Sequence, residues 1–560
     1  MPGPDATRSA TVSATVADAI AATLASYGVR RMFGVPGGGS SLELIEACAR
    51  RDIRYVLTHT ETAAAIMAAV TGELTGTPGV VSVGLGPGAA SVVNGVAYAA
   101  LDRAPVLVVA DSYRPGDHDF ISHQRIDQQA ILAPLVKASA RAAPAHAAGA
   151  VAALLERALA PPVGPVLLEL SAIDAGATAT DAAPPVRRKA AEPDITGDVA
   201  AARALIAGAR RPALVAGIQT RARGAAEVAR LADALACPVL TTYKAKGVYP
   251  DGGARHAGLF TGARTEAQWL ADCDLLILYG VDPIELVASP WPYRMAVLEL
   301  AEVEIRPHYT TPKASVFGPL PRLAEAVIGS ARAANWPTSP RPQALPEPAL
   351  DGLSPHTVAR ALARAAPAGA RLAVDAGAHM LPAMAHWPAR APFGVLISNG
   401  ISTMGLALPA AIASALEEPE RPMVVMTGDG GLAMCLAELA TCARERLGVT
   451  VVVFNDGALK LIDVKQQQRG FATRGVRYPP LDFARIAEGA GMRGVRVETE
   501  AALEAAIEVA FDGLPARSRS GVASAKAGGG ATLIDARIDA GGYRAMFEAI
   551  RGAPGAASNT

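Results

Sequence analysis

Residues 426–459, MTGDGGLAMCLAELATCARERLGVTVVVFNDGAL, decide how this chain is read. An apolar run, PMVVM, passes into Gly428-Asp429-Gly430, and after 24 intervening residues a second apolar run, VTVVVF, ends in Asn455-Asp456. A strand that runs into glycine at its carboxyl end is where open α/β sheets place ligands, because glycine lets backbone amides come close to a phosphate. Taken alone, Gly-Asp-Gly is as readily a plain turn. The residues between, 432–448, have the length of one crossover helix returning the chain to a parallel neighbour. Two adjacent strands would then present Asp429 and Asp456 at one sheet edge. Hard oxygen ligands converging on a diphosphate are what Mg²⁺ prefers, with water completing its octahedron.

Outward from this stretch the same alternation recurs. Amphipathic helices such as TVADAIAATLASYGV alternate with short apolar runs such as GVVSVGLG, APVLVVAD, RPALVAGI, CDLLILYG and ATLIDARID, most of them closed by Gly, Pro or Asp. That is the pattern of parallel sheets buried on both faces. Stretches rich in Pro, Ala and charge interrupt it twice, at DAGATATDAAPPVRRKAAEPD and NWPTSPRPQALPEPALDGLSP, and both read as linkers. The fold class expected is α/β, with three doubly wound parallel-sheet domains. Their expected bounds are residues 1–180, a linker at 181–195, a central domain at 196–335, a linker at 336–354, a C-terminal domain at 355–545 and a frayed tail at 546–560.

Composition narrows the function classes. The 52 basic and 52 acidic residues cancel, so no global field draws nucleic acid or an anionic membrane, and a small-molecule site is the better default. Cys48, Cys237, Cys273, Cys435 and Cys442 are odd in number and lack close pairing. Neither a disulfide framework nor a zinc site is indicated. The N-terminus lacks a basic start followed by an apolar core, and no apolar run approaches the length of a membrane span. A cytoplasmic protein is expected.

At this point the residues carry a resemblance. Gly428-Asp429-Gly430, the spacing and Asn455-Asp456 resemble the thiamine-diphosphate motif, and the order of three α/β domains resembles the acetolactate synthase-like branch of that superfamily. The resemblance implies Asp429, Asp456 and the carbonyl of Ala458 as Mg²⁺ ligands, with Gly428, Gly430, Gly431 and Asn455 at the cofactor. Asp456 stands where the family usually has asparagine; it keeps an oxygen ligand and adds negative charge. The N-terminal domain would bind the cofactor's pyrimidine and the C-terminal domain its diphosphate.

A second piece is THTETAAAIMAAVTGELTG, where Glu61 opens a helix rich in Ala and Met. From the residues alone it is equally a first-turn glutamate favoured by the helix dipole. The family places its activating glutamate here. A desolvated carboxyl has a raised pKa and can share a proton with the pyrimidine N1′, which activates the thiazolium C2. A third piece, SNGISTMGLALPAAIASAL, resembles the family's cofactor-bending loop, which implies Ser402 and Met404 at the cofactor; by composition alone Met404 is a core residue. VDAGAHM resembles a diphosphate loop and implies Gly377, Ala378 and His379. FGVPGGGS (Pro36, Gly37, Gly38) and GLGPGAASVVNG (Pro87, Gly88) are glycine turns in the expected order.

In DHDFISHQRIDQQAILAPLVK, Gln124 aligns with a glutamine near the cofactor, and His123 stands where the synthases have Phe. An imidazole there could donate to a substrate carboxylate or relay a proton; a solvated loop is an equal reading. Acetolactate synthases also bind FAD through the central domain. Here the glycines of LVAGIQTRARG leave room for a nucleotide, while Asp282 in LLILYGVDPIEL takes the place of an arginine, so FAD stays open. After the metal loop, Lys460 and Lys465 replace an expected aromatic and either coat a helix or face an anionic substrate.

The resemblance implies decarboxylation of a small 2-oxo acid such as pyruvate followed by carboligation, by a homodimer or homotetramer. A non-ligating decarboxylase or a C–C lyase is the alternative within enzymes. A cofactor-binding but inactive subunit is the alternative outside them, against which stand Glu61 and the Asp429/Asp456 pair.

Overall fold

The structure is a computed structural model, and it describes residues 14–181, 192–286, 290–337, 340–342, 344–512 and 530–551. Three sheets organise them. The first orders its strands Arg54–Leu57, Arg31–Gly34, Gly79–Val83, Val106–Ser112, Val166–Ser171 and Ser139–Arg141, all parallel. The second runs His256–Leu259, Val239–Thr241, Pro212–Ala216, Leu275–Tyr279, Ala296–Ala301 and Ala314–Phe317, with the short strand Thr196–Gly197 added antiparallel at its edge. The third runs Val395–Leu396, Arg371–Val374, Met423–Gly428, Val449–Asn455, Thr532–Arg537 and Arg493–Val497, again all parallel. Central strands such as Val106–Ser112 and Val449–Asn455 are buried along their whole length. Helices cover both faces of such a sheet, so its strands read as unbroken apolar runs.

The chain forms two compact units. One is built around the first sheet; the other holds the second and third and takes with it the short segments Leu74–Gly76 and Leu101–Arg103. Each sheet has a point beside its centre where the strand order reverses. Those points lie between Arg31–Gly34 and Gly79–Val83, between Pro212–Ala216 and Leu275–Tyr279, and between Arg371–Val374 and Met423–Gly428. Open α/β sheets bind ligands at the carboxyl ends of the strands there.

Two expectations need correcting. The crossover after Gly428 is not one helix but two, Asp429–Met434 and Glu438–Arg444. The first packs on the strands Met423–Gly428 and Val449–Asn455, the second on the helix Ala407–Glu417, and the break between them lets one segment serve both surfaces. The expected tail from 546 is helical through Arg551, because Tyr543, Met546 and Ile550 form an apolar stripe that is buried against Leu381 and Val464. Of the first expected linker, 182–191 fall outside the described residues. Among the described residues no helix is long and apolar enough to cross a membrane.

Candidate functional site

At the switch point of the third sheet, Gly428 pairs with Phe454, so the chain leaves both strands at one edge. Asp429 is the first residue of the helix that follows and is buried. Its Oδ1 accepts from the Gly430 N–H at 2.7 Å and from Tyr478 Oη at 2.9 Å, and its Oδ2 from the Gly457 N–H at 2.7 Å. Asp456 is half-buried, and its Oδ2 is enclosed without a hydrogen-bond partner. Burial, and then the charge of Asp429, push the Asp456 carboxyl up to about 7. Burial also raises Asp429, against the donors that hold it down, Tyr478 first among them. Two carboxylates held close in low dielectric repel unless a cation lies between them.

Both aspartates line a cavity of about 240 Å³, together with Gly377, Ala378, His379, Ser402, Met404, Gly428, Gly430, Gly431 and Ala458. Asn455 is not among them. It closes the strand with its side chain turned the other way, donating to Asp535 Oδ1 at 2.8 Å and to the Leu481 carbonyl at 3.0 Å. Successive residues of an extended chain face opposite sides, so of the pair only Asp456 reaches the cavity. The backbone is shaped around the site as well. A Cβ on Gly431 would come within 2.3 Å of Asp375 Oδ2, and one on Gly430 within 2.6 Å of Leu459. Asp375 in turn accepts from the N–H groups of Gly405, Leu406 and Ala407 at 3.1, 2.7 and 3.1 Å, which pins the Met404 loop to the strand end. His379 is buried beside Phe454, with ring centroids 5.7 Å apart, and burial pushes it down to about 3, so it is a neutral imidazole.

The first sheet carries a cavity of about 690 Å³ at its own switch point, lined by Pro36, Gly37, Gly38, Glu61, Pro87, Gly88 and Gln124 among others. Glu61 opens the helix Glu61–Thr75 and is half-buried; a Cβ on Gly88 would lie 3.4 Å from its Oε1. Gln124 has φ +53°, and its carbonyl lies so close to Gly86 that a Cβ there would meet it at 2.4 Å. His123 does not line this cavity. It is exposed, and its carbonyl accepts from Tyr113 Oη at 3.1 Å.

Each unit thus carries a cavity of its own, one with a glutamate at a helix start and one with paired strand-end aspartates. Residues 14–131, 199–317 and 375–520 match the thiamine pyrophosphate enzyme family in its N-terminal TPP binding domain, its central domain and its C-terminal TPP binding domain respectively. The chain belongs to the thiamine pyrophosphate enzymes. Among relatives of this thiamine pyrophosphate enzyme, the catabolic acetolactate synthase of Raoultella terrigena is 28% identical over 531 residues, covering 89% of this chain and 92% of that one. The probable 2-ketoarginine decarboxylase AruI of Pseudomonas aeruginosa is 29% identical over 470 residues, covering 80% and 82%. In fold, the chain is similar to the thiamine diphosphate-dependent 4-hydroxybenzoylformate decarboxylase of Rhodococcus jostii RHA1, with a TM-score of 0.81 at 21% identity over 94% of this chain and 99% of that one.

The residues fit the family's cofactor. Among the described residues no group of three or more His, Cys, Asp or Glu forms a metal cage. Asp429, Asp456 and a carbonyl would therefore leave the remaining positions of an octahedral ion to diphosphate and water, as Mg²⁺ prefers. The enclosed, unpartnered Asp456 oxygen is an acceptor ready for that ion. Sequence reading missed Tyr478 and Asp375, which hold Asp429 and the Met404 loop. Asp375 had a signal, an aspartate closing the apolar run RLAV; Tyr478, alone in RYPP, had none. Lys460 lines the cavity of Asp429 and Asp456 and pairs with Asp463 at 3.2 Å, whereas Lys465 lies over the Phe547 ring at 5.9 Å and coats its helix.

Proposed function

We propose that this thiamine pyrophosphate enzyme decarboxylates a small 2-oxo acid such as pyruvate and joins the remaining fragment to a second carbonyl, as an acetolactate synthase does. The observation that carries the reading is the strand-end pair, Asp429 oriented by three donors beside Asp456 with one oxygen free. Asp429, Asp456 and the Ala458 carbonyl would hold Mg²⁺, and through it a diphosphate lying against Gly377, Ala378, His379 and Gly428. Thiamine diphosphate, when bound, supplies the carbon nucleophile and the electron sink for loss of the carboxylate. Glu61, at a helix start in the first-sheet cavity, would be the group that exchanges a proton with the cofactor's pyrimidine. Met404, on a loop fixed by Asp375, would pack against the cofactor's rings. A homodimer or homotetramer is part of the proposal and rests on family membership.

Simple decarboxylation is the second reading, supported by the decarboxylases among the similar proteins. It needs a proton donor at the acceptor position, and the candidate His123 lies off the Glu61 cavity. Product analysis separates the two: purified protein is incubated with pyruvate and other 2-oxo acids, Mg²⁺ and thiamine diphosphate, beside Glu61→Gln. Acetolactate from the wild type and little from the variant supports ligation, and the corresponding aldehyde supports decarboxylation. No turnover of any 2-oxo acid by cofactor-loaded protein would sink both.

A further inference from the structure

FAD is the other cofactor to which the resemblance pointed. Its place would be the switch point of the second sheet, at the carboxyl ends of Pro212–Ala216 and Leu275–Tyr279. A dinucleotide is held at such a point by free backbone N–H groups aimed at its phosphates. Here all four N–H groups of residues 217–220 are engaged within the protein. Gly217 donates to the Tyr279 carbonyl, Gln219 to that of Gly280 and Thr220 to that of Gly217, each at 3.0 Å. The fourth, of Ile218, donates to Glu285 Oε2 at 2.8 Å, and across the crevice the Asp282 N–H donates to the same oxygen at 3.1 Å. The Thr242 hydroxyl donates to Glu285 Oε1, so a buried carboxylate occupies both strand ends at once.

The surrounding groups agree with this. Asp282, where an arginine was expected, is buried and bound to Arg103 of the Leu101–Arg103 segment, Nε to Oδ2 at 2.6 Å. Gly217 lies so close to the opposite loop that a Cβ would come within 2.2 Å of the Val281 Cα. Arg221, on the short helix that follows, lies over the Phe393 ring at 4.7 Å.

We propose that Glu285 stands in for the phosphate of a dinucleotide, so that the central domain takes no flavin and the enzyme works without one. FAD does not fit these residues, because the amides that would meet its phosphates are already taken, three by backbone carbonyls and those of Ile218 and Asp282 by Glu285. The inference does not depend on which 2-oxo acid is the substrate. In the test, full-length protein is first loaded with thiamine diphosphate and Mg²⁺, which keeps other diphosphates out of the third-sheet cavity. It is then mixed with FAD, read by quenching of flavin fluorescence, and with ADP as a smaller probe, read by melting temperature. Wild type leaves both readouts unchanged, while Glu285→Ala gains an ADP-dependent rise in melting temperature. Flavin retained through purification of the wild type, or quenching at an equimolar ratio, overturns the proposal. So does a folded Glu285→Ala that stays as indifferent to ADP as the wild type. Should that variant not fold, Glu285→Gln, which keeps the volume and removes the charge, is read by the same criterion.

Discussion

The switch points of the second and third sheets are the same device put to opposite use. In both, glycine-bearing loops meet at the carboxyl ends of adjacent parallel strands, and in both a carboxylate gathers the backbone amides there. In the third sheet Asp429 takes the amides of Gly430 and Gly457 but leaves a cavity of about 240 Å³ beside it, into which Asp456 offers an oxygen with no partner. In the second, Glu285 reaches across the crevice and takes Ile218, Asp282 and Thr242 for itself. Both carboxylates bridge two strand ends, Asp429 to the Gly457 amide past Val449–Asn455 and Glu285 to the Ile218 amide past Pro212–Ala216. The difference is that a second carboxylate, Asp456, stands with an unpartnered oxygen in the cavity beside Asp429. A glycine-rich strand end therefore marks a place where a ligand can bind; the partners of its amides decide whether one does.

The comparison can be broken most severely at Asp429. Asp429→Ala removes a metal ligand, and cofactor affinity, measured by titration with thiamine diphosphate and Mg²⁺, is expected to fall more than about 100-fold, beyond the usual cost of losing an outer-shell partner. Glu285→Ala should act on stability instead. Stranding buried donors costs about 3 kcal/mol in denaturant unfolding, with affinity for thiamine diphosphate unchanged; a matching loss of affinity would show that the two crevices are not independent.

Tyr478→Phe sharpens the third-sheet side. Removing the donor that orients Asp429 Oδ1 should weaken cofactor binding about 10-fold, without a change in melting temperature of the apoprotein.

The smallest effect is a pH dependence. Burial pushes Glu285 up to about 7, with the facing Asp282 adding to the rise and its three hydrogen bonds opposing it. Between its ordinary value and about 7 the folded state binds more protons than the unfolded one, so stability falls as pH rises through that window. Relative to Glu285→Gln, wild type should gain about 1 kcal/mol on going from pH 7.5 to pH 6. A difference of the opposite sign would mean that the three donors outweigh burial at this carboxyl.

Much of this was legible in the sequence, for a physical reason. Parallel strands buried on both faces must be apolar throughout, so VTVVVF and PMVVM declared themselves, and a ligand site at their ends required glycine and a hard oxygen. What was not legible depended on direction or on partners distant in sequence. Asn455 and Asp456 are adjacent and chemically alike, and only the pleat of the strand tells which enters the cavity. The broken crossover helix follows from what each half packs against, which its composition does not show. Tyr478 and Glu285 are single residues outside the strands, given their roles by partners 49 and 67 positions away. His123 matched a family position by alignment, yet lies outside the cavity that its neighbour Gln124 lines.

The most direct measurement is a calorimetric titration of one cofactor-free preparation with thiamine diphosphate, with and without Mg²⁺, and then with FAD. The account predicts saturable, Mg²⁺-dependent binding of one thiamine diphosphate per chain and no heat from FAD. Binding of thiamine diphosphate that ignores Mg²⁺, or stoichiometric uptake of FAD, would contradict it.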